Sequence, residues 1–207
     1  HFQSAYENRY TWPTDFLGYK GKCSFQKGTQ KFIGNFQLGK DLKATVSSID
    51  DDSIRKVISS QLWEVAIHRV NRSFDQVHGQ NSFTAGDTNL VGMEVIVGGR
   101  NNGDRYRIKD NIVTMVYRNI HGSIFTIFTE TVTHTGKGYL SNLYTSQVTC
   151  PTTGKPLSGK NSISDIFIPL EGEGPWVLSE RVIETANFNN IPTSLQSFYF
   201  FDLSNFD

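Results

Sequence analysis

The chain has 207 residues, with 20 Lys and Arg against 20 Asp and Glu and 37% hydrophobic side chains. A chain of that length buries about 70% of its unfolded surface, so it closes a core without disulfides or a structural metal. Zero net charge excludes the strongly basic profile of a nucleic-acid binder, and no apolar run approaches the ~20 residues of a membrane-spanning helix.

The charge is uneven. Residues 171–207 hold six acids (Glu171, Glu173, Glu180, Glu184, Asp202, Asp207) against Arg181, giving −5, while 1–170 carry 19 bases and 14 acids, giving +5. Such a dipolar chain can dock electrostatically, and a solvated acidic edge is the simpler reading. The opening His1-Phe2-Gln3-Ser4 has no basic-then-apolar leader pattern, so targeting is not readable from it. Cys23 and Cys150 lack a C-x-x-C or histidine spacing, which disfavours zinc and demands no oxidising compartment. Both read as ordinary thiols in strands.

In chain order, segments 19–25, 31–38 and 42–48 alternate as strands, joined by turns at Lys27-Gly28 and Gly39-Lys40-Asp41. From 51 to 78 the pattern changes. Ile54, Val57, Ile58, Leu62, Val65, Ala66, Val70, Phe74 and Val77 recur at the helical period, after an Asp50-Asp51-Asp52 cluster suited to an N-cap and before Gly79. This predicts one helix of roughly 40 Å with a polar side in solvent. Nine further strands follow at 83–85, 93–97, 105–109, 112–118, 124–133, 139–149, 162–168, 176–185 and 195–201. Their turns, such as Lys109-Asp110-Asn111 and Asn119-Ile120-His121-Gly122, hold residues that tolerate positive φ.

The predicted fold is mainly β (α+β): a strongly twisted antiparallel sheet that curls into a barrel or half-barrel, packed against one long helix at about 51–78. Residues 1–186 form the single domain, and 187–207 an aromatic, acidic tail able to bind a partner. Around Ile124-Phe125-Thr126-Ile127-Phe128 apolar residues point both ways, so both faces of that strand are expected to be covered. The second face would be a barrel interior, filled by side chains or left as a ligand cavity.

Chemistry is sparse. Five scattered histidines lack any metal-ligand spacing, and no nucleophile elbow, phosphate loop or zincin motif occurs. No catalytic residue, metal or cofactor is nominated. Arg105, Arg107 and Arg118 could together meet the acidic groups of a ligand, against the plainer reading of solvated strand arginines. Aromatic residues gather at both ends of the chain. Phe198, Tyr199, Phe200, Phe201 and Phe206 are candidate partner contacts, because a strand with aromatics on both sides meets a second surface. An internal closing strand is the competing reading.

Several strings together carry a family resemblance: Ala5-Tyr6-Glu7-Asn8-Arg9-Tyr10-Thr11-Trp12, Gln61-Leu62-Trp63-Glu64-Val65-Ala66-Ile67-His68-Arg69-Val70 with Arg72-Ser73-Phe74, His78-Gly79, Gly103-Asp104-Arg105-Tyr106 and Gly136-Lys137-Gly138-Tyr139-Leu140. Over about residues 2–185 the chain resembles a family of cyanobacteria and photosynthetic eukaryotes known as domain of unknown function 3386. That family lends no catalytic residue or cofactor. The resemblance implies an oxygenic photosynthetic setting, in the chloroplast stroma beside the thylakoid or in a cyanobacterial cytoplasm, peripheral to the membrane.

Three functional expectations follow. The first is a non-catalytic structural, linker or accessory protein of a light-harvesting assembly, associated with a phycobilisome or photosystem and partnered by its other proteins. The alternative is a lipocalin-like carrier of an apolar or tetrapyrrole ligand. The third is a chromophore lyase-like enzyme, which would need a Cys, Tyr or His inside a cavity.

Overall fold

A computed structural model describes residues 1–206. Its twelve strands are β1 (Gly18–Lys27), β2 (Gln30–Gly39), β3 (Ala44–Ser47), β4 (Asn81–Asn89), β5 (Gly92–Gly99), β6 (Arg105–Lys109), β7 (Ile112–Ile120), β8 (Ser123–His134), β9 (Tyr139–Thr149), β10 (Lys160–Pro169), β11 (Trp176–Ala186) and β12 (Pro192–Asn205). The helices are α1 (Phe2–Glu7), α2 (Asp52–Ile67) and α3 (Phe74–His78). The strands form one antiparallel sheet in the order β3-β2-β1-β12-β11-β10-β9-β8-β7-β6-β5-β4. Since β3 and β4 end that order without meeting, the sheet is open, so of the expected barrel or half-barrel the closed barrel is ruled out.

Each of the twelve segments expected as a strand is one. Their tight turns use the expected chemistry: Asp110 and Asn111 both take positive φ, as do His121 and Gly122, so these two-residue hairpin loops twist with their strands.

The expected single helix at 51–78 is two helices. Asp51 caps α2, its carboxylate accepting from the Ser53 and Ile54 N–H groups at 2.8 and 3.3 Å. In an uninterrupted helix the Ser73 N–H would donate to the Arg69 carbonyl. Instead Ser73 N–H donates to Gln76 Oε1 at 2.9 Å, closing a capping box that starts α3, and the Arg69 carbonyl accepts from Trp12 N–H at 2.7 Å. The apolar period ran through Val70 and Phe74, but α2 ends at Ile67, before both, and α3 begins only at Phe74.

The chain forms two compact units. The first contains residues 1–10, 72–163 and 185–193. Its core joins Phe2, Ala5 and Tyr6 of α1 and Phe74 of α3 to Val95, Val97, Tyr106, Ile108 and Val113 of the sheet.

The second contains residues 11–71, 164–184 and those from Ser194 on. There Tyr19, Cys23 and Phe25 alternate inward on β1. They meet Leu38 and Phe36 of β2 and Phe200 and Phe198 of β12, all at most 2% exposed. Helix α2 covers this face with Ile58, Leu62, Val65 and Ala66. Most of the segment expected as an appended tail is therefore β12, paired with β1 from Gln196 to Asn205. Its last residue, Asp207, lies outside the described residues.

Candidate functional site

In the first unit a cross-strand row runs through Ala85, Val95, Tyr106, Val116, Ile127 and Ser146, consecutive partners from β4 to β9. Direct partners in antiparallel strands project to one side, so these six share a face. The neighbouring row on that face is Arg118, Phe125 and Val148. Helices α1 and α3 bury the Val95 and Tyr106 part of it. Farther along, Val116, Phe125, Ile127 and Val148 are only half-buried. The apolar floor thus extends beyond its helical cover.

Cations stand at this part of the face. Arg118 Nε donates to Asp104 Oδ2 at 2.9 Å, and the buried Asp104 is fixed by accepting from Asn119 N–H at 3.2 Å. The Arg118 side chain stays 38% exposed. Arg9, just past α1, donates to the Tyr6 carbonyl at 2.9 Å and lays its guanidinium 3.8 Å from the Tyr6 ring centroid. Within reach of both charges lies His78, ringed by Phe2, Tyr6, Phe74 and Tyr106 at 5.0–6.0 Å. Burial, then the charges of Arg118 and Arg9, push its imidazole down to about 4. At neutral pH His78 adds no charge, and the site is an apolar floor edged by guanidinium groups. That combination holds an acidic apolar molecule: hydrocarbon on the sheet, carboxylate on arginine.

Of the three arginines expected to bind ligand, only Arg118 lies on this face. Arg105 pairs opposite Tyr117, the neighbour of Arg118, so Arg105 and Arg107 project to the reverse side. There Arg105 lies 3.6 Å from Glu94, and Arg107 contacts Asp87 at 2.8 Å, Glu94 at 3.8 Å and the Gly92 carbonyl at 3.0 Å. Strand alternation thus separates Arg118 from Arg105 and Arg107. Sequence reasoning missed Arg9, Asp104 and α1 itself; the one available signal was the helical spacing of Phe2, Ala5 and Tyr6.

The aromatic partner candidates also divide by alternation. Phe198 and Phe200 are 0% and 1% exposed and belong to the core, which corrects their reading as partner contacts. Tyr199 and Phe201, each 39% exposed, face outward, and Phe206 is half-buried with its N–H on the Gly18 carbonyl.

Clefts of about 240 Å³ beside His1, Met93 and Asn111 and about 200 Å³ beside Trp12, Phe16 and Arg69 fall below the roughly 300–1,000 Å³ of ordinary ligand pockets. Among the described residues no group of three His, Cys, Asp or Glu could hold a metal, and no helix is long and apolar enough to cross a membrane.

Cys150 lies in the turn after β9 rather than in a strand. Hydrogen bonds from Thr152, then Thr153, pull its thiol down to about 6, whereas burial pushes Cys23 up to about 11. Iodoacetamide should therefore label Cys150 with a rate midpoint near pH 6 and leave Cys23 unmodified in the folded protein. Peptide mapping across a pH series checks this; a midpoint near the ordinary thiol value contradicts it.

The geometry defines a protein built on an open twelve-stranded antiparallel sheet. The chain matches DUF3386, Protein of unknown function, over residues 1–206 and belongs to that family. No curated protein matches it. Among solved structures, a DUF1329 family protein from Desulfovibrio piger shares 11% identity over 93% of this chain and 87% of its own, with a TM-score of 0.29. A LolA superfamily protein from Nitrosomonas europaea shares 11% over 99% and 91%, with a TM-score of 0.35. An outer membrane lipoprotein-sorting protein domain from Vibrio parahaemolyticus shares 7% over 94% and 87%, with a TM-score of 0.34. These likenesses are remote.

Proposed function

We propose that the protein is a carrier of an apolar small molecule with an acidic group, held on the β7–β9 part of the helix-bearing face of the first unit. The observation that supports this is the row Tyr106–Val116–Ile127, which passes from fully buried to half-buried where the cover of α1 and α3 stops. Arg118 at the end of the next row, oriented by Asp104, supplies the charge partner.

A fluorescent polyene fatty acid, cis-parinaric acid, is the probe. Saturable binding at one site is expected. Ile127→Glu should weaken it about tenfold, the effect of roughly 1.4 kcal/mol lost from the apolar contact. Arg118→Leu should weaken the free acid but not its methyl ester. Absence of saturable binding by the unaltered protein, or equal affinity in Ile127→Glu, defeats the reading.

A further inference from the structure

The second unit has a sheet face that no helix covers. Strand alternation puts Ile33 of β2, Ser24 of β1 and Tyr199 of β12 in one row on the side opposite Phe25 and Phe198. The next row there is Asn35, Lys22 and Phe201. On β10, Ile166 and Ile168 alternate with the buried Asp165 and Phe167, whose side carries Arg181 and α2, so they too face away from the helix. Ile33, Tyr199, Phe201, Ile166 and Ile168 are 57, 39, 39, 50 and 38% exposed. At the centre of the first row the Ser24 hydroxyl is buried without a hydrogen-bond partner. Ile33, Tyr199 and Phe201 lie on neighbouring strands and Ile166 and Ile168 one strand beyond β11; exposed apolar side chains gathered on one face in this way mark a surface that another surface covers.

Charge identifies the occupant. One flank of the β12 aromatics is basic, with Lys20 and Lys22 on β1 and Lys31 on β2; Asp202 on β12 holds Lys22 at 2.9 Å. The other flank is acidic. Arg181 points into the core, so Glu180 and Glu184 on β11 point outward. The Ser179 hydroxyl donates to the Phe200 carbonyl at 3.4 Å, which sets this part of β11, with Glu180, alongside the β12 segment that carries Tyr199 and Phe201. A face with a basic flank, an apolar centre and an acidic flank complements itself under only one in-plane two-fold. Rotation about an axis along β12 lays each lysine flank over the partner's glutamate flank, whereas an axis across the strands opposes like charges.

We propose that this face is a self-association surface, covered by a second copy of the same chain related by a two-fold axis along β12.

The test is the solution mass of the full chain, by light scattering and sedimentation at micromolar to submillimolar concentration. Twice 23.3 kDa is expected, falling toward the monomer as salt rises. Two variants decide the geometry: Lys22→Glu with Lys31→Glu, and Glu180→Lys with Glu184→Lys. Their substitutions lie on the solvent side of the sheet, and circular dichroism confirms that each folds. Each variant alone should be monomeric, because both its flanks carry one sign. An equimolar mixture should regain the doubled mass, because every lysine flank then meets a glutamate flank. A monomeric unaltered protein, variants that still dimerise alone, or a mixture that stays monomeric would each overturn the proposal.

Discussion

Replacing Arg181 by alanine is expected to lower the folding stability by about 3–5 kcal/mol, the usual result of removing one partner from a buried ion pair. Arg181 and Asp165 have side chains only 2% exposed and meet in a two-point contact, Nε to Oδ1 at 2.8 Å and Nη2 to Oδ2 at 2.7 Å. The remaining Nη1 reaches α2, donating to Gln61 Oε1 at 3.0 Å and Glu64 Oε1 at 3.2 Å. Truncation therefore strands the Asp165 carboxylate in the core and releases a polar tie between helix and sheet. Urea denaturation measures the effect. The double variant Arg181→Met, Asp165→Leu should recover most of the stability, because no buried charge is then left unpaired and the half-exposed Glu64 keeps its water. If the double variant is as unstable as the single one, the loss comes from packing volume rather than from the charge.

That network also shows where sequence reading stops. Alternation and turn chemistry located every strand, because a half-buried strand repeats every two residues and Gly, Asn and Asp mark where the chain reverses. The same rhythm could not say that Arg181, set among the apolar positions of β11, points inward to meet Asp165 of β10 and Gln61 of α2. Such a pairing depends on strand order and on where the helix lies. The helix boundary at 68–73 was hidden for a related reason: Ser73 and Gln76 spelled a capping box, but the competing bond from Trp12 to Arg69 comes from fifty-seven positions away. Of the candidate site, Arg118 was legible as a strand arginine, while its separation from Arg105 and Arg107 required the register opposite Tyr117. Phe198 to Phe201 were legible as aromatics on two sides of a strand. Which side was core followed only from pairing Phe198 with Phe25 and Phe200 with Cys23.

His78 makes the first unit sensitive to acid. Its imidazole lies among Phe2, Tyr6, Phe74 and Tyr106, with Nδ1 3.2 Å from Asn81 Nδ2. Burial is the main cause of its depressed value of about 4; Arg118 and then Arg9 lower it further, and Asp104 opposes them. The unfolded chain takes up the proton near 6.5 and the folded chain only near 4, so stability is full above pH 6.5 and is lost progressively as pH falls toward 4. With allowance for solvent screening near the exposed Arg118, the loss is about 2 kcal/mol, a factor of roughly thirty in the folding equilibrium. His78→Phe keeps an aromatic ring in the cluster and removes the titration. Denaturation midpoints measured from pH 7.5 to 4 should fall for the unaltered protein and fall less for the variant by that amount. Parallel curves for the two proteins would place the acid sensitivity in other groups. The ligand face is coupled to this titration, because the Arg118 and Arg9 guanidinium groups disfavour a proton on His78 and favour a carboxylate beside them. An acidic ligand bound beside them offsets their repulsion of the imidazolium, so ligand should raise the titration point of His78 and blunt the acid loss.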